Sequence, residues 1–146
     1  AEPLSGLLSP ALEEEFAAPY VREVIAAVQD DSFAVIYHNC GPNTPKMIPS
    51  LSSNGAAAYH FGDAVQLTDL LAGMPADRPV MGNISPSAQF LGGTPDSMTI
   101  AVRELLGKCA GYKNFVLSSG CDIPPASSWD NIRAFFAASA DFYANH

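Results

Sequence analysis

His38, Cys40 and Cys121 are the side chains best suited to chemistry in this 146-residue chain. The first two stand one residue apart in "VIYHNCGPN", where an apolar run gives way to a loop, and the third lies in "SGCDIPP" far downstream. In an extended backbone, successive side chains alternate faces, so His38 and Cys40 share a face with Cα atoms about 6–7 Å apart, and Asn39 turns away. Imidazole and thiolate are borderline-soft donors. A His-Cys-Cys set suits Zn²⁺, and three protein ligands with a fourth position open is the arrangement of a catalytic rather than a structural zinc. An H-x-C pair alone is weak, because cysteine is often only a small buried hydrophobe. The weight of the assignment rests on Cys121. "HFGDA" adds Asp63, or with less support His60, as a further ligand or as a partner to one.

For these residues to meet, strands must bring them to one end of a sheet. "SFAVIYH" (32–38), "AAAYHF" (56–61), "PVMGNI" (79–84) and "NFVLSS" (114–119) are short apolar runs of strand length. Helical patterns separate them. Leu12, Phe16, Tyr20, Val21, Val24, Ile25 and Val28 form one stripe, which Pro19 should kink or split. "NTPKMIPSLSSNG" (43–55) has a helix start and stop, and a helix is expected around residues 64–72. Thr94-Pro95-Asp96 supplies a cap, a first-turn proline and an acid to a helix with Met98, Ala101, Val102, Leu105, Leu106 and Cys109 on one face. Cys109 therefore reads as core. A closing helix uses Trp129, Ile132, Phe135, Phe136 and Tyr143.

Strand–helix alternation at this spacing predicts an α/β fold of parallel βα repeats, and four units make half of a (β/α)₈ barrel. Residues 1–146 read as a single, partial domain. In such folds the ligand site lies at the carboxyl ends of the strands, so the four following loops converge there. Gly82, Asn83 and Ser85, in "GNISP", are expected to help shape a pocket, although Gly-Asn and Ser-Pro also make an ordinary turn. "FLGGTP" lacks the spacing of a phosphate loop, and there is no G-x-S-x-G elbow. His146 and His60 read as solvated or structural rather than catalytic.

Fifteen acidic against seven basic residues give a net charge of −8, unfavourable for nucleic acid or an anionic membrane surface. No apolar run reaches the length of a membrane span, and "AEPLSGLLSP" lacks the order of a signal peptide. With three cysteines, an odd number, reduced thiols in a cytoplasmic protein are the expectation.

"PLSGLLSP…YVREVI", "YHNCGPNTP", "GNISP…LGGTPDSM" and "GCDIPPASSWDNIRAF" together resemble the C-terminal half of the uroporphyrinogen decarboxylase superfamily, a TIM-barrel group. Within it they are most similar to the methylcobamide:coenzyme M methyltransferase branch. That resemblance implies zinc on His38, Cys40 and Cys121, a small thiol as substrate, and as donor a methylated corrinoid, carried by a corrinoid protein, or a similar methyl donor. Asp63 matches in position the acidic group that occupies or releases a zinc position in that branch. The family domain is about twice as long, so the resemblance also implies a fragment, a two-chain barrel completed by association with a missing N-terminal half, or a homodimer of halves. Two other readings remain: a tetrapyrrole decarboxylase relative needing no metal, and a non-catalytic half barrel that binds a corrinoid or a partner protein.

Overall fold

The computed structural model describes residues 1–2 and 4–145; His146, expected to be solvated, lies outside the described residues. Four parallel strands form one sheet in the order β1-β2-β3-β4: Ile36–Asn39, Ala58–Phe61, Val80–Ile84 and Phe115–Ser119. Helices α1 (Pro10–Phe16) and α2 (Ala18–Val28) precede β1. Between strands lie α3 (Ile48–Ser52), α4 (Leu67–Gly73) and α5 (Pro95–Cys109), and α6 (Trp129–Ala144) follows β4. Sequential parallel order with a helix in each crossover is the architecture of half a (β/α)₈ barrel.

Local chemistry explains most boundaries. Pro19 divides the first helical pattern by starting α2, where its missing N–H costs nothing. Thr94 and Ser97 form a reciprocal capping box, with Thr94 Oγ1 accepting from Ser97 N at 3.2 Å and Ser97 Oγ accepting from Thr94 N at 2.9 Å. β1 begins later than the apolar run suggests. The Asp30 carboxylate accepts from Ser32 N (2.7 Å) and Phe33 N (3.0 Å), folding residues 30–33 into a turn before the strand can start.

One face of the sheet is covered. Tyr37, Tyr59, Phe61 and Val80 pack with Ile25, Met47, Leu51, Leu67, Leu70, Leu71 and Met74. A second cluster joins Ile84, Phe90, Met98, Val102, Leu106, Phe135 and Ala138, and Leu105 and Phe115 touch both. Cys109 is fully buried in the first cluster, as expected. Both apolar stripes form helices, as expected, but burial divides each of them. In the first, Ile25 is buried but Leu12, Phe16, Tyr20, Val24 and Val28 are exposed; in α6, Phe135 is buried but Trp129, Phe136 and Tyr143 are exposed. Periodicity marks an apolar face, and at both ends of this sheet the face has no neighbouring βα unit among the described residues to cover it.

Candidate metal centre

β1 positions the first two donors through its pleat. Tyr37 and Asn39 are buried on the helix side, so His38 and Cys40 emerge on the opposite, inner face of the sheet. Behind them Asn39, wholly buried, donates to Ser5 Oγ (2.9 Å) and Tyr37 OH (3.1 Å). Its Oδ1 accepts from Gly41 N and from Thr44 Oγ1, both at 2.9 Å. These bonds fix the chain on either side of Cys40. Nothing in the spacing of the sequence singled out Asn39 beyond its turning away; its role depends on Ser5, which only the fold brings near.

β2 closes on the same place. His38 is in register with His60, and Gly62 N donates to Asn39 O at 3.1 Å. A Cβ at residue 62 would overlap the Cβ of Cys40, so only glycine lets the second strand-end loop lie against that thiol. From β4, the loop after Ser119 delivers Cys121.

Among the described residues, the donor atoms of His38, Cys40 and Cys121 form a group lying within 4.8 Å of one another. The Cys121 thiol donates to His38 Nε2 at 3.5 Å. Tetrahedral zinc with bonds of about 2.0–2.3 Å has ligand-to-ligand edges of about 3.3–3.8 Å, so the three donors fit the ion after small side-chain rotations. The tautomer fits as well. His38 Nδ1 is 3.1 Å from the His60 carbonyl, which can only accept, so Nδ1 carries the proton and the Nε2 lone pair faces the thiols.

Electrostatics point the same way. Burial, then the neighbouring His60, lowers the His38 pKa and keeps the ring neutral. Burial, then Cys121, raises the Cys40 thiol above its ordinary range, so the protein alone favours the protonated thiol and a bound cation is what would favour the thiolate. The three donors line a cavity of about 340 Å³ with His60 and Asp122.

The loop residues expected beside them separate. Asp63 is exposed and packs against Gly120, outside the donor group. With Asn83 and Ser85 it lines a different cavity of about 260 Å³ that extends between α4 and α5 to Gln89, Glu104 and Lys108. Asn83 spends its amide on the carbonyls of Gly62 (3.0 Å) and Val65 (2.9 Å), and Ser85 Oγ accepts from Ala88 N at 3.3 Å. Gly82 lies inside β3 at φ +148°, where a Cβ would come within 2.8 Å of the Phe61 carbonyl. His60, the lesser candidate ligand, turns its Nε2 to the Ser119 carbonyl at 2.6 Å.

Comparison with known proteins agrees with this architecture. Uroporphyrinogen decarboxylases from Prochlorococcus marinus are similar: strain NATL1A at 29% identity over 137 residues, and strain MIT 9211 at 32% over 144. Each match covers 92% of this chain and 37% of the relative, so the chain spans little more than a third of those proteins. Among solved structures, a methyltransferase from Methanosarcina mazei superposes with a TM-score of 0.80 at 22% identity, over 97% of this chain and 40% of its own, a likeness of fold. The family model for uroporphyrinogen decarboxylase (URO-D) matches residues 2–142, and the chain belongs to that family.

Proposed function

We propose that this chain is the metal-binding half of a zinc-dependent methyltransferase-type barrel that methylates a thiol. The observation that carries the reading is the convergence of one imidazole and two thiols at the carboxyl ends of β1 and β4. His38 Nε2, Cys40 Sγ and Cys121 Sγ would hold the ion. Zn²⁺ there supplies Lewis acidity that favours the thiolate form of a thiol at neutral pH. The His60 carbonyl holds His38 in the ligating tautomer, and the Asn39 bonds hold the Cys40 backbone. Ile36 and Val116, exposed on the inner face, would exclude water once that face is covered. The substrate sulfur, its proton lost to solvent, attacks the methyl carbon; a C–S bond forms and the methyl group's former bonding pair stays on the donor. In this reading the donor is a methylated corrinoid on a carrier protein, and the missing barrel wall comes from an N-terminal half or a second copy of the chain. The shared fold of a protein named as a methyltransferase supports the choice of reaction.

The relatives named uroporphyrinogen decarboxylase favour a second reading, tetrapyrrole decarboxylation without metal. Metal content separates the two. Mass spectrometry of reduced protein should find about one zinc per chain, retained in Cys109→Ser and lost in Cys121→Ser. Zinc that survives Cys121→Ser sinks the assignment, and porphyrinogen binding by a metal-free parent selects the decarboxylase reading.

A further inference from the structure

β1 and β4 are the two edge strands of the described sheet, each with one partner, β2 and β3. The Asn39 bonds brace the chain beside Cys40, and Cys121, two residues past the end of β4, needs a brace of its own. Something must hold the β4 end at the right distance, because a donor free to drift loses most of the advantage of a preformed site.

His60 spans that gap. It sits in register with His38 on one side and Met81 on the other, and its ring crosses β3 to reach the far strand. The His60 Nε2–H donates to the Ser119 carbonyl at 2.6 Å, with Ser118 Oγ 3.4 Å from the same nitrogen. Gly120 N donates to the Ile84 carbonyl at 2.7 Å. The Ser119–Gly120 peptide unit, one residue before Cys121, is therefore clamped at both ends, its oxygen from β2 and its nitrogen from β3. The other end of His60 acts on the second arm: its carbonyl accepts from His38 Nδ1, and its ring lies 4.7 Å from the His38 ring at a 34° tilt.

Building on the metal-binding reading above, we infer that His60 is a positioning residue that sets the spacing between His38 and Cys121, through its ring N–H on the β4 side and its carbonyl on the β1 side. It donates nothing to the ion itself, since its Nε2 is taken by Ser119. A ligand spaced by an outer hydrogen bond binds metal about 10–100-fold more weakly when that bond is removed.

The test is Co²⁺ titration of the whole chain, parent beside His60→Phe and His60→Gln. It follows the thiolate-to-cobalt charge-transfer band and the visible d–d bands, with affinity from competition against a chromophoric chelator. Phenylalanine keeps a ring against His38 but has no N–H. Glutamine places an amide N–H close to where the imidazole Nε2–H was. The expected result is about 10–100-fold weaker Co²⁺ binding and altered d–d bands in His60→Phe, with affinity and bands returning towards the parent in His60→Gln. Circular dichroism of the metal-free variants reports folding separately. Parent-like affinity and bands in His60→Phe overturn the inference and leave the metal site standing. Equal weakening in both variants also overturns it, because the loss then follows the ring and not its N–H. A parent that binds no Co²⁺ removes the inference together with the reading beneath it.

Discussion

The two faces of one four-stranded sheet differ sharply. On the helix side, Tyr37, Tyr59, Phe61 and Val80 are at most 5% exposed, and every strand contributes to a shared apolar core. On the inner side, Ile36 is 55% and Val116 43% exposed, and between them stand His38, Cys40 and His60. Stability is concentrated on the first face and chemistry on the second. Burial of a large apolar side chain contributes about 1.5–3 kcal/mol, so the covered face can carry the fold while the other keeps its polar donors accessible.

The largest effect should come from breaking the covered face. Phe61→Ala is expected to cost about 3–5 kcal/mol in urea unfolding, whereas Val116→Thr on the inner face should stay within about 0.5 kcal/mol. Similar costs for the two would mean that the inner face is already covered in solution, by a second copy or another chain.

Asn39 ties the two faces together, since its side chain is buried on one while its backbone neighbours the donors on the other. Asn39→Ala strands the Gly41 N–H, while the Thr44 hydroxyl keeps its bond to the Gly41 carbonyl at 2.6 Å, and should cost about 1–3 kcal/mol. It should also weaken metal binding by loosening Cys40. Loss of stability with unchanged metal affinity would show that the network supports the core alone.

A smaller effect sharpens the contrast from the helix side. Glu13 is 2% exposed, its Oε2 has no hydrogen-bond partner, and burial raises its pKa. An acid with a raised folded pKa binds more protons folded than unfolded between the two values. Stability therefore falls as pH rises from the unfolded value of about 4.3 through the folded one. Glu13→Gln removes that term, so the stability difference between variant and parent should move in the variant's favour across this window. A difference that stays flat with pH would show that Glu13 keeps its unfolded-state pKa in the folded chain.

How far the site was legible varies by residue. Cys121 and the H-x-C pair could be joined because strand alternation and the parallel order of βα units are local rules with a global consequence. Asp63, Asn83 and Ser85 carried the same kind of signal, a polar residue after a strand, yet they line another cavity. The Asn83 amide bonds carbonyls on the β2 side of its own loop, and Asp63 packs on Gly120. The stripes of α1–α2 and α6 do form helices, but a helical period reports that a face is apolar and says nothing of what lies opposite.

Sequence alone determined what depends on neighbours in the chain. The alternation of strand and helix, the Thr94 cap, the Pro19 break, the burial of Cys109 and the shared face of His38 and Cys40 all follow from periodicity, φ preference and side-chain reach. Tertiary structure decided what depends on partners remote in sequence. Bringing Cys121 to within 3.5 Å of His38 depends on how far β4 extends beside β3, and fixing the His38 tautomer depends on the register of β1 against β2. Register and extent are set by packing between strands about 20 to 80 residues apart, where no local propensity acts.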